Sequence, residues 1–153
     1  MSRRRVARSG ARASRGVAGS QVTPAQLMAE AEQARGNAYA PYSRFPVGAA
    51  VLTGSGHVIR GCNVENASYG LSVCAERNAI WKALSDGHTD IVAIAITARQ
   101  GHGAPPCGSC RQVLQEFAPE AWVYWRNDRG RLLKRRLVEL LPIPFHFPER
   151  LKR

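Results

Sequence analysis

Hydrophobic positions change period several times along the chain, and each change marks an element. Leu27, Ala31 and Ala34 recur at helical spacing behind Thr23-Pro24-Ala25-Gln26. There Thr23 suits an N-cap, Pro24 the first helical position and Gln26 the far corner of a capping box. Gly36 ends this predicted helix. Tyr39 to Pro46 carries two prolines and three aromatic residues, which makes it irregular yet costly to leave in water. Val47 to Leu52 reads as a strand, Thr53-Gly54-Ser55-Gly56 as a turn and His57 to Glu65 as the returning strand. A second helix is predicted from about Val73 to Ser85, closed by Asp86-Gly87. Ile91 to Ile96 is apolar at every position, the pattern of a central strand buried on both faces. A glycine- and proline-rich loop then leads to a short helix, Cys107 to Phe117, and strands at Trp122 to Trp125 and Arg131 to Leu137 flank the turn Asn127 to Gly130. The order α-β-β-α-β-α-β-β implies an α/β fold with one sheet and helices on its faces.

Composition narrows the class. A chain of 153 residues suits one domain, and 44% hydrophobic residues can build a core. No apolar run reaches bilayer-spanning length, so the chain is expected to be soluble with no membrane partner. The net charge of +11 invites a nucleic-acid reading, but its distribution argues against one. The excess sits in residues 1–20, where six arginines have no acidic neighbour, in 126–136, and in the last five residues. The rest is close to neutral. Residues 1–20 are expected to be a basic disordered tail.

Four cysteines do not make a disulfide framework. The close pair Cys107 and Cys110 reads as metal ligation or redox chemistry in a reducing, cytoplasmic setting. Cys107-Gly108-Ser109-Cys110 opens a predicted helix after Pro105-Pro106, and Cys74 opens another, followed two residues later by Glu76. Helix starts favour thiolates. Three protein ligands leave the fourth position on a zinc ion free for water, as in catalytic rather than structural sites. Asn63 and Glu65 lie two apart on a predicted strand, so they share a face. His57, His88, His102 and His146 have no ligand spacing.

Five motifs taken together resemble the cytidine deaminase family, of the small homotetrameric kind with three cysteine ligands. They are Pro41-Tyr42-Ser43-Arg44-Phe45-Pro46-Val47-Gly48-Ala49-Ala50; Gly61-Cys62-Asn63-Val64-Glu65-Asn66-Ala67-Ser68-Tyr69-Gly70; Cys74-Ala75-Glu76-Arg77; Pro106-Cys107-Gly108-Ser109-Cys110-Arg111-Gln112-Val113; and Glu139-Leu140-Leu141-Pro142. The pairing of an unligated glutamate with a proline-cysteine motif is itself the known signature of zinc deaminases. The resemblance implies a single three-layer domain over residues 21–153, with a central five-stranded mixed sheet and helices on both faces. It implies one Zn²⁺ per chain on Cys74, Cys107 and Cys110. It also implies hydrolysis of cytidine and 2′-deoxycytidine to their uracil counterparts, through zinc-bound hydroxide attacking C4 while Glu76 shuttles the proton. Arg77, assisted by Gln112, is expected to offset the charge of the three thiolates. Asn63 and Glu65 are expected to bind the ribose, with Phe45, the backbone of Ala75 and Tyr69 also contacting the nucleoside. Phe145 is expected to stack in a neighbouring subunit's site, although the chain has Phe145-His146-Phe147-Pro148 where relatives have Phe-Gly-Pro, so Phe147 competes for that role. Cys62 is expected to be a small buried residue and not a ligand. A related nucleoside antibiotic or cytosine in a polynucleotide are the alternative substrates.

Overall fold

The computed structural model describes residues 22–99 and 103–148; the basic tail and His102 lie outside the described residues. Helix α1 (Pro24–Arg35) opens on the expected capping box. The Thr23 hydroxyl accepts from the Gln26 backbone N–H, and the Gln26 side chain accepts from the Thr23 N–H. Two orphan donors are thereby satisfied at the first turn. Next come β1 (Gly48–Thr53), β2 (Val58–Cys62), a one-turn 3-10 segment (Tyr69–Leu71), α2 (Ala75–Ser85), β3 (Ile91–Thr97), α3 (Gly108–Phe117), β4 (Trp122–Arg126), β5 (Leu132–Arg136) and α4 (Leu137–Leu140).

The strands form one mixed sheet in the order β2-β1-β3-β4-β5, and only β3 and β4 run parallel. That parallel pair requires a crossover, and α3 supplies it. Alternation along the strands sorts the core into two layers. Ala50, Ala93, Ala95 and Tyr124 face α1, packing with Leu27, Met28 and Ala31. Val51, Ile94, Ile96 and Val123 face the other way, onto Ala79, Ile80 and Leu114 of α2 and α3. Small residues on one face let α1 lie close; large ones on the other fill the space beneath two helices. At the β4–β5 end of the α1 face, Trp122 is covered instead by cations, with Lys134 Nζ 3.6 Å and the Arg136 guanidinium 4.1 Å from its ring centroid.

Two expectations need correction, and one element was not foreseen. Val92, predicted to be buried, is 43% exposed, because the β1–β3 register shifts at Leu52/Thr53 and leaves Val92 without a partner opposite. The returning strand ends at Cys62 rather than Glu65; beyond it only Val64 pairs, with Tyr39 and with Val73, as isolated bridges. The turn of helix α4 was not legible in a four-residue stretch.

Two glycines set how closely the helices approach the sheet. A Cβ at Gly61 would lie 2.4 Å from the Ala79 nitrogen and 2.6 Å from the Ala75 carbonyl oxygen of α2. At Gly48 it would meet the Ala31 carbonyl oxygen of α1 at 2.0 Å. Both obstacles are backbone and cannot rotate away. Gly61→Ala and Gly48→Ala are each expected to lower unfolding free energy by roughly 1–3 kcal/mol. Gly70→Ala, which meets open space, should leave it unchanged. Denaturant unfolding of the three variants checks this, and equal stabilities would refute the close-approach account.

Candidate metal centre and active site

Cys74 is the N-cap of α2 and Cys107 the N-cap of α3, while Cys110 lies one turn into α3. Both helices sit on the same sheet face, so their first turns converge. The three sulfurs lie within 4.8 Å of one another. Cys110 is buried, Cys74 half-buried and Cys107 exposed, so the cluster has a protein-facing floor and one solvent-facing side. Neither N-cap cysteine caps its helix through a side-chain hydrogen bond, which leaves both sulfurs for another role. The Cys74 thiol is held down to about 5, chiefly by a hydrogen bond from Cys110, with Arg77 adding to it against the cost of burial. The Cys110 thiol is pushed up by the same bond and by burial. A donor set of three converging thiols, one of them readily ionised, fits a thiophilic divalent ion such as zinc.

Cys62 is not part of this cluster, and it is partly exposed rather than buried as expected, since it ends β2 at the sheet's outer strand. Its Sγ lies 3.3 Å from the Asn37 carbonyl oxygen, and burial raises its thiol pKa. His57 and His88 stack on each other, ring centroids 4.5 Å apart, beside the β1–β2 turn.

Glu76 sits in the first turn of α2 and is 5% exposed, one of few buried charged or polar residues. Burial pushes its carboxyl up to about 7, and the neighbouring Cys74 thiolate adds to the shift. A carboxyl poised there can exchange a proton in either direction near neutral pH. Arg77 follows, with Nη2 3.6 Å from the Cys74 sulfur and 3.4 Å from the Ser72 carbonyl oxygen, its guanidinium 5.8 Å from the Trp81 ring centroid.

Asn63 and Glu65 do turn to one side, and both grip the loop that precedes β1. The Asn63 amide donates to the Phe45 carbonyl oxygen at 3.0 Å and accepts from the Val47 N–H at 2.8 Å. The Glu65 carboxylate accepts from the Tyr42 N–H at 2.9 Å, from the Ser43 N–H at 3.2 Å and from the Ser43 hydroxyl. The Ser43 hydroxyl holds the carboxyl below its usual range. Arg44 occupies the left-handed region at φ 55°, the one non-glycine residue to do so among those described. That conformation costs free energy and is kept by the clamps on either side. Phe45 is thereby fixed, half-buried, against the core layer beneath α2. Tyr69 is 74% exposed and packs edge-on against Tyr42, centroids 5.8 Å apart. Ala75 is fully buried at the start of α2.

Gln112 lies elsewhere than expected. Instead of meeting the thiolates, its amide donates to the Phe145 carbonyl oxygen at 2.9 Å and accepts from the Phe145 N–H at 3.1 Å. Sequence reasoning also passed over three residues that organise the site. Asn78 donates from α2 to the Cys62 carbonyl oxygen at 2.8 Å, tying the residue before Asn63 to the helix of Glu76. Arg111 donates to the Pro106 carbonyl oxygen at 2.8 Å and the Leu140 carbonyl oxygen at 2.9 Å. Ser43 is the third. Arg111 and Ser43 sit inside the motifs above and Asn78 directly after one, each near a residue with more obvious chemistry.

Comparison with known proteins agrees with this geometry. The family description "Cytidine and deoxycytidylate deaminase zinc-binding region" matches residues 22–126. A cytidine deaminase of Halalkalibacterium halodurans is 54% identical over 120 residues, covering 78% of this chain and 91% of that protein. A blasticidin-S deaminase of Bacillus cereus is 32% identical, covering 67% and 79%. The crystal structure of cytidine deaminase from Burkholderia pseudomallei superposes with a TM-score of 0.76 at 45% identity, covering 80% of this chain and 99% of that one. With the fold, the three-cysteine cluster and the family description in agreement, the chain belongs to the zinc-binding cytidine and deoxycytidylate deaminase family.

Proposed function

We propose that this chain hydrolyses cytidine and 2′-deoxycytidine to uridine and 2′-deoxyuridine, releasing ammonia, in pyrimidine salvage. The observation that carries the reading is Glu76, a buried carboxyl beside three converging thiols but not among them. Cys74, Cys107 and Cys110 would hold one Zn²⁺, which when bound would lower the pKa of water to about 7 and so supply hydroxide at neutral pH. Glu76 would carry both protons of the water in turn, the first to ring N3 and the second, released as the C4 hydroxyl becomes a carbonyl, to the departing amine. The 4-amino group leaves as ammonia and the water oxygen remains as the C4 carbonyl, so atoms balance.

The remaining residues orient the nucleoside. Asn63 and Glu65 keep unused hydrogen-bonding capacity beyond the loop they hold, and offer it to the sugar hydroxyls. Phe45 forms an apolar wall, and the first backbone amides of α2, from Ala75 on, face the base. Arg77 offsets the charge of the thiolates. Identity of 54% to a cytidine deaminase against 32% to a blasticidin-S deaminase favours ordinary nucleosides over the antibiotic. Turnover assays with cytidine, deoxycytidine, blasticidin S and single-stranded DNA separate the readings; release of ammonia only from the last two would overturn this one.

Assembly completes the site. Tyr69, Leu71, Ile143 and Phe145 are each more than half exposed, apolar side chains that a subunit interface would cover. A homotetramer with shared active sites covers it, Phe145 and Tyr69 reaching a neighbour's nucleoside. No helix among the described residues is long and apolar enough to cross a membrane. Thiol ligands require reducing surroundings, in keeping with the cytoplasm.

Glu76→Gln is expected to retain fold and zinc while turnover drops by at least about 10²–10⁴. Near-normal rates in a zinc-loaded variant would remove Glu76 from the chemistry. Cys62→Ala should bind a full equivalent of zinc by elemental analysis, whereas loss of metal would mean that Cys62 joins the ligands. Glu76→Gln and Phe145→Ala chains, each nearly inactive alone, should regain cytidine turnover when co-expressed and isolated as mixed tetramers. Absence of recovery in such tetramers would show that each chain completes its own pocket.

A further inference from the structure

Helix α3 holds two of the three thiols, and the two residues directly after Cys110 both bond the C-terminal segment. Arg111 bonds the carbonyl oxygens of Pro106, just before Cys107, and of Leu140. Gln112 brackets Phe145 with a donated and an accepted bond, the pairing a neighbouring strand would make. The C-terminal segment needs such a partner. Pro142, Pro144 and Pro148 have no N–H, so it cannot join the sheet as an ordinary strand. Among the described residues, Phe145 is the only position in 142–148 whose backbone a side chain grips in both directions. Its ring nevertheless stays 68% exposed. A fixed backbone carrying a free aromatic ring is the arrangement of a group presented outward.

We propose that Gln112 is a positioning residue for the neighbouring subunit's site: it acts through Phe145 and not on the metal centre of its own chain. The same contacts select Phe145 over Phe147 as the presented ring. This inference rests on the shared-site reading above, and its test separates the two. Gln112→Ala, and the near-isosteric Gln112→Met that keeps packing but removes the amide, should bind zinc fully. Each should lose roughly 10-fold in kcat/KM for cytidine, mostly in KM, as two hydrogen bonds fixing the ring are removed.

Mixed tetramers give the decisive readout. A Gln112→Met chain should be complemented by a Glu76→Gln chain, because some sites then combine an intact Glu76 with a correctly held neighbouring Phe145. It should not be complemented by a Phe145→Ala chain, since both defects fall on the same presented ring. The opposite pattern, recovery with Phe145→Ala and none with Glu76→Gln, would place Gln112 in its own chain's site and overturn the proposal. Loss of zinc from both Gln112 variants would overturn it as well. Failure of the Glu76→Gln and Phe145→Ala pair to complement would sink the shared-site reading itself, and this inference with it.

Discussion

Backbone-on-backbone contact between β2 and α2 at Gly61 is the constraint on which the site depends. Without a side chain there, the Ala75–Ala79 turn of α2 lies directly on the strand. The Asn78 amide can then reach the carbonyl of Cys62, the last residue of β2. From that point the chain continues through Asn63 and Glu65, which clamp the Tyr42–Val47 loop. On its other side the same helix presents Cys74 and Glu76. One close contact therefore links the placement of Cys74 and Glu76 to that of Asn63 and Glu65.

The second framework is α3. As the crossover between parallel strands it is placed by topology rather than by local preference, since β3 and β4 cannot be joined by a short turn. Its first turn brings Cys107 and Cys110 to Cys74, while Arg111 and Gln112 anchor the C-terminal segment. A single ten-residue helix thus serves the interior of its own chain and the segment directed outside it.

Much of this was legible in the sequence because it is local. The capping box of α1, the two thiol-bearing helix starts and the turn glycines are decided within a few residues. The apolar run Ile91–Ile96 misled at Val92, because a register shift depends on the pairing of β3 with β1 and leaves no trace in β3 itself. Asn63 and Glu65 were correctly expected to share a side, yet β2 stops before them, and their same-side placement rests on the bridges of Val64 to Tyr39 and Val73. Gln112 was misplaced for a related reason. Two residues after a thiol ligand suggests proximity to the metal, but its helical position carries it to a partner 33 residues later. Side-chain amides can serve almost any neighbour, so their roles are settled by tertiary structure and not by motif.

The cations over Trp122 change how the high isoelectric point, about 10.5, should be viewed. Lys134 and Arg136 are not spare charge on an edge strand; they form a roof over the half-buried Trp122 indole. Reformulating the protein toward neutrality would therefore begin with Arg129, Arg131 and Arg135, which are exposed and stack on no ring among the described residues. Exchanging the two roofing residues for acids would bare a half-buried indole beside the edge strand β5 and trade solubility for self-association.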